Sequence, residues 1–314
     1  MGTLLLACAP RPAHRDMSGE EEQKQPGDLR PAPEGFRQLQ PEPRRGGGVL
    51  NPAGSLQAVL RRDRLLVAGA LVAIAALAWG YTVYRASYIG GEDGSMDGMA
   101  MTMPLLESWG AEDFLSNFAM WAVMMVAMMV PSAAPMVLIY ASMNRQRRAA
   151  GGPLAPTGIF VLGYLVVWSA FALLATTGQW GLHAATLISP SLALTSSVLG
   201  GSLLLAAGIY QWTPLKYTCL TQCRTPLGFI LGHWRDGTAG AFTMGLRHGL
   251  FCLGCCWVLM GLLFVAGVMN LLWVAAIAAF ILVEKVAPAG RWVSRVSGVA
   301  LMVWGVVVLA NRVI

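Results

Sequence analysis

From residue 65 onward the polar positions are too sparse to mark half-buried strands or surface helices. Long apolar runs follow one another at roughly 65–84, 114–143, 157–178, 191–213, 239–266, 270–287 and 293–311. At about 1.5 Å of rise per residue, about 20 residues cross a hydrocarbon core of about 30 Å, and several of these runs reach that length. The pattern predicts an all-α, polytopic membrane bundle of about seven transmembrane helices, with 61–314 as one membrane domain. Its least defined boundary is the turn at Gly267-Val268-Met269-Asn270, between the fifth and sixth spans.

Residues 1–60 read differently. They are rich in Pro, Gly, Glu and Arg, and poor in aromatic and branched side chains. Such a segment buries too little apolar surface to offset its ordering entropy, which predicts a disordered cytoplasmic tail with no part in the chemistry. Leu4 to Cys8 resembles a lipoprotein cleavage box but lacks a basic leader and a long apolar core, so no signal peptide is read there. Translation from Met1 and from Met17 both fit.

Composition supports the membrane assignment: 56% of residues are hydrophobic and mean hydropathy is +0.57. Residues 1–64 hold 18 of the 38 charged side chains, so the net charge of +6 is no sign of a nucleic-acid partner. Lys and Arg set the orientation. With the amino terminus cytoplasmic, the inner segments carry Arg61, Arg62, Arg64, Arg145, Arg147, Arg148, Lys216, Arg224, Arg235, Lys285, Arg291 and Arg295. The outer segments carry only Arg85 and Arg312. The expected location is a bacterial inner membrane, with the carboxyl terminus extracytoplasmic. Trp180, Trp212 and Trp234 read as interfacial anchors, and His183 and His233 as loop residues without a role.

Sulfur is concentrated in three places. Eleven of the 17 methionines lie between 96 and 143, and five of the six cysteines between 219 and 256. In the first outer loop Met96, Met99, Met101 and Met103 have no core to fill, and thioethers are soft ligands suited to Cu(I). In the second span one half of the helical wheel carries Met124, Met125, Met128 and Met129 with the polar residues, and the other carries Ala and Val. Pro131 nearby frees a backbone carbonyl, as helices lining a site do. In the fifth span, with His248 at 0°, Cys252 falls near about 40°, Cys255 near about −20° and Cys256 near about 80°. Met124 and Cys252 lie at similar depth, roughly 13 and 12 Å from the outer face. The alternative is that these Met and Cys faces are packing surfaces.

Two further features complete the expectation. Cys219 and Cys223, in a cytoplasmic loop where thiols stay reduced, could hold a soft ion between them. Glu284 is the only carboxylate inside a span and requires a partner. By depth that partner is Arg247, and the pair would orient His248 through its other ring nitrogen. A structural pair, or Glu284 with Lys285 at the interface, is the alternative.

Several stretches together resemble one bacterial family. They are Met124-Met125-Val126-Ala127-Met128-Met129-Val130-Pro131-Ser132-Ala133-Ala134-Pro135, Cys219-Leu220-Thr221-Gln222-Cys223-Arg224-Thr225-Pro226, His248 to Trp257, Met269-Asn270-Leu271-Leu272-Trp273, and Glu284-Lys285. The family is domain of unknown function 2182, labelled a predicted metal-binding integral membrane protein. The resemblance covers roughly 110–311. It implies a polytopic inner-membrane protein with a metal site and implies no activity.

The leading expectation is a protein that handles a soft metal, Cu(I) before Zn(II). Ions would pass from the outer methionines through Met124 and Met128 to Cys252, Cys255, Cys256 and His248, then to Cys219 and Cys223. Transport, storage and delivery to a metal chaperone or metalloenzyme all fit. No nucleotide-binding glycine loop or phosphorylatable aspartate motif is present, and a non-enzymatic role is read ahead of an enzymatic one, with both open. A membrane thiol–disulfide oxidoreductase and a scaffold without chemistry are the alternatives.

Overall fold

The computed structural model describes residues 52–92, 109–153, 155–187 and 196–311; the side chains of 52–63 and 88–92 are outside that description. The methionines of the outer loop and most of the amino-terminal tail lie outside the described residues. Every regular element within them is a helix. In chain order these are α1 (Pro52–Glu92), α2 (Ala111–Ala149), α3 (Thr157–Ala184), α4 (Ser197–Tyr210), α5 (Pro214–Arg224), α6 (Pro226–His233), α7 (Gly237–Gly261), α8 (Leu263–Ala266), α9 (Leu271–Val286) and α10 (Gly290–Asn311).

Five segments are long and apolar enough to cross a membrane: Arg64–Ser87, Ala111–Ala149, Thr157–Ala184, Gly237–Ala266 and Gly290–Asn311. The expected seven crossings are therefore not matched in full. At the positions of the fourth and sixth, α4 and α9 have 14 and 16 residues. At about 1.5 Å per residue both fall short of a core of about 30 Å. Local chemistry explains where they stop. Thr213 caps α5, with Pro214 at its start, so the chain leaves α4 and restarts in a new direction. Gly267, at φ 91°, ends α8, and the Asn270 side chain caps α9 by accepting from the Trp273 N–H. The turn expected at 267–270 is thus present. The first helix starts at Pro52, earlier than its expected start near 65, in a segment (Ala53, Leu56, Gln57, Ala58, Leu60) of good helix formers.

Burial ranks the spans. The most apolar window of Gly237–Ala266 is 67% buried within the protein, against 17% for Arg64–Ser87. So α7 is the hub, and α1, the least buried of the five, is laid against α2. Around the hub, α3 and α5 pack on α7, α2 packs on α3, and α4 pairs with α10. Glycine sets the closeness of α3 and α7. A Cβ at Gly245 would sit 2.0 Å from the Phe160 carbonyl oxygen, and one at Gly163 would sit 2.3 Å from that of Phe242. In lipid, helices associate through packing of this kind more than through hydrophobicity. Tyr164, next to Gly163, and Cys252, about two turns beyond Gly245, are thereby brought into contact.

The segment 214–233 departs most from expectation. Read as a cytoplasmic loop, it instead forms α5 and α6, with Lys216, Cys219, Phe229 and Ile230 fully buried. Each helix opens on a proline, which presets the first turn.

Candidate metal centre

Cys252, Cys255 and Cys256 share the inward face of α7, and each is at most 2% exposed. On α5, Cys223 brings its thiol within hydrogen-bonding reach of Cys252 and Cys255. Four free thiols from two helices thus meet inside the bundle. Cys255 and Cys256 each donate to the Cys252 carbonyl, at 3.0 Å. Cys255 and Cys256 thus donate within their own helix, while Cys223 approaches both Cys252 and Cys255 across the helix gap.

Cys252 is also the meeting point of two other elements. The Lys285 ammonium, from α9, donates to Cys252 Sγ at 3.0 Å and to Ser132 Oγ, on α2, at 2.9 Å. Tyr164 Oη, on α3, lies 3.2 Å from Cys252 Sγ and donates to the Met129 carbonyl at 3.2 Å. Ser132 donates to the same carbonyl at 2.9 Å. Pro131 and Pro135 interrupt α2 beside this point without ending it. The second span therefore approaches the thiols through a carbonyl, a hydroxyl and a shared ammonium. The thioethers of Met124, Met125, Met128 and Met129 are buried in the same core.

Among the described residues, no group of three or more His, Cys, Asp or Glu side chains is arranged to hold a metal ion. Cys255 and Cys256 are both turned onto the Cys252 carbonyl. A closed tetrahedral cage of the structural-zinc kind would need those thiols to turn from the backbone. A two-coordinate soft ion, held by one thiol from each helix, needs far less rearrangement.

His248 is buried one turn before Cys252. Its ring lies 5.6 Å from that of Tyr164, 6.1 Å from Phe160 and 5.5 Å from Phe229. Its Nδ1 is buried with no hydrogen-bond partner. The expected Arg247–Glu284 pair does not form, and Glu284 does not orient His248. Glu284 instead accepts from the Lys216 ammonium at 2.8 and 2.9 Å and from Ser294 at 2.7 Å. Gln211 also accepts from Lys216. Arg247 is half-buried and has no carboxylate partner among the described residues. The depth estimate failed because it treated 214–224 as loop, whereas α5 carries Lys216 into the core.

Lys216 and Lys285, both counted as inner-face cations, are buried. The expected Cys219–Cys223 pair also separates: Cys223 joins the α7 thiols, while Cys219, one turn earlier, is fully buried and engaged in a contact of its own. Sequence reasoning assigned no role to Tyr164 and left Lys285 as an alternative partner at the interface. The adjacency of Glu284 and Lys285 within an apolar run was the available signal, since intramembrane charges carry function by default.

A family model described as PpoB2, copper chaperone, matches residues 118–308. That range lies within the 110–311 over which the motifs resemble a metal-binding membrane family, and it contains all four thiols, Lys285 and Tyr164. No curated protein matches the chain, and no solved structure does. With well over half of its length under one family model, the chain belongs to the PpoB2 copper chaperone family.

Proposed function

We propose that the protein receives Cu(I) within the bilayer on Cys252 and Cys223 and passes it to a partner metalloprotein. The observation that carries this reading is the contact of Cys223 with the α7 thiols beside the Lys285 ammonium. Cu(I) is a soft ion satisfied by two sulfur ligands, so one thiol from α5 and one from α7 suffice. Cys255 and Cys256 serve as neighbours onto which the ion can shift. His248 and the methionines Met124, Met125, Met128 and Met129 line the approach. Met96, Met99, Met101 and Met103 capture the ion outside.

Charge balance favours copper over zinc. Two thiolates around Cu(I) carry one net negative charge, which costs several kcal/mol or more to bury unpaired. The Lys285 ammonium at 3.0 Å from Cys252 Sγ cancels it. Two thiolates around Zn(II) are already neutral, and Lys285 would leave an excess positive charge. Tyr164 assists: once Cys252 loses its proton, the phenol can turn from the Met129 carbonyl and donate to the thiolate. Delivery to a partner requires weak holding, and a two-coordinate site permits ligand-by-ligand exchange. The amino terminus is taken as cytoplasmic in a bacterial inner membrane, in line with the Lys and Arg distribution.

The test is elemental analysis and X-ray absorption on protein purified in mild detergent under reducing conditions. One copper per chain with about two sulfur neighbours, lost in Cys252→Ser, is the expected result. Zinc in place of copper, or copper retained by Cys252→Ser, overturns it. Thiol trapping in cells separates the oxidoreductase alternative, which requires a Cys223–Cys252 or Cys223–Cys255 disulfide during turnover.

A further inference from the structure

We propose that the groove between α5 and the turn joining α9 to α10 binds the phosphate headgroup of an anionic phospholipid. The groove has a volume of about 510 Å³ and is lined by Arg224, Arg291 and Arg295 with Tyr217 and Trp292 among its walls. No carboxylate lines it, and none pairs with Arg291 or Arg295 among the described residues. Aromatic rings hold the guanidinium groups in place. The Arg291 Cζ lies 6.0 Å from the Tyr217 ring centre, and the Arg295 Cζ lies 5.7 Å from that of Trp212 and 6.0 Å from that of Trp292. Arg295 Nε donates to Tyr217 Oη at 3.3 Å. Arg224 donates to the Ala287 and Pro288 carbonyls, the latter at 3.1 Å, fixing the turn that closes the groove. Three cations are thus preorganised with planar donors suited to phosphate oxygens.

Position favours a lipid over a free anion. The segment Gly290–Asn311 is long enough to span, so its first turn lies at a bilayer boundary, where tryptophan is also preferred. Trp292, Val296, Val299 and Val303 are all exposed and share one face of α10, running from the groove along the helix. A diacyl lipid whose phosphate sits among the arginines has its chains along that stripe. Inorganic phosphate uses only the groove. The inference is independent of copper, although Arg224 follows Cys223 on the same helix.

The experiment is native mass spectrometry of the detergent-purified full-length protein, titrated separately with phosphatidylglycerol, phosphatidylcholine and inorganic phosphate. Phosphatidylglycerol is expected to bind at least about tenfold more tightly than phosphatidylcholine, and the Arg291→Gln/Arg295→Gln variant to lose that preference. Arg291→Lys, which retains the charge, guards against misfolding and keeps most of the preference. Equal binding of the two lipids, a preference surviving in the double glutamine variant, or displacement of the lipid by millimolar phosphate overturns the proposal. So does a wild type that binds an acidic peptide at this groove in place of lipid.

Discussion

The Lys285 ammonium donates a hydrogen bond to the Cys252 thiol at 3.0 Å, inside the helix bundle and 33 residues away in sequence. An ammonium beside a thiol favours thiolate, the form that binds metal. It also supplies the positive charge that a Cu(I) dithiolate needs in a low-dielectric interior.

Lys285→Met, close in volume but uncharged, is expected to weaken Cu(I) binding by about 10- to 100-fold, the usual effect of removing a group that supports a metal ligand. It should also narrow the preference for Cu(I) over Zn(II). Competition against a chromophoric Cu(I) chelator measures the first effect, and zinc loading of the same variant measures the second. Unchanged affinity for both metals removes Lys285 from the site.

The thiols should differ in importance. Cys252→Ser and Cys223→Ser are expected to abolish high-affinity copper binding. Cys255→Ser and Cys256→Ser should reduce it less, because those thiols bond to their own helix. Since thiols must lose protons to bind, copper affinity in the wild type should rise with pH. Equal losses across all four serine variants would point to a single four-thiol cage.

Glu284→Gln leaves the Lys216 ammonium buried without its carboxylate, and both side chains are almost wholly shielded from solvent. Breaking such a pair from one side costs about 3–5 kcal/mol. The expected result is a markedly lower thermal midpoint in detergent. The paired change Lys216→Met/Glu284→Leu should recover much of the loss. Copper affinity of whatever folded protein remains should change less than in Lys285→Met, since Glu284 and Lys216 bond each other, Ser294 and Gln211 and not a thiol.

Gly245→Val places side-chain atoms where the Phe160 carbonyl lies and should push α7 away from α3. Overpacking of this kind costs about 1–3 kcal/mol. It should also separate Tyr164 from Cys252 and raise the rate at which a maleimide modifies Cys252. A wild-type labelling rate would show that the glycine contact does not hold the site together.

Much of this molecule is written in its composition and periodicity. Apolar run length gave helices and a membrane, and the 3.6-residue period put Cys252, Cys255 and Cys256 on one face of one helix. Both follow from local rules, since rise and angle per residue are fixed by the backbone. The turn at Gly267 and Asn270 was likewise legible, because a glycine with positive φ and a side-chain cap act within a few residues. Run length alone also suggested crossings at 191–213 and 270–287, where the chain forms short helices of 14 and 16 residues.

Tertiary structure decided the partners. Nothing in the spacing of Cys219 and Cys223 says that one joins the α7 thiols and the other does not. That follows from α5 folding into the core, a placement that polarity counts misread as a loop. Arg247 stands next to His248 in sequence, yet Glu284 pairs with Lys216 and Cys252 with Lys285. Which buried charge meets which depends on how closely whole helices approach. Between α3 and α7, where Tyr164 meets Cys252, that distance is set by Gly163 and Gly245, whose missing side chains leave no trace in a hydrophobicity pattern.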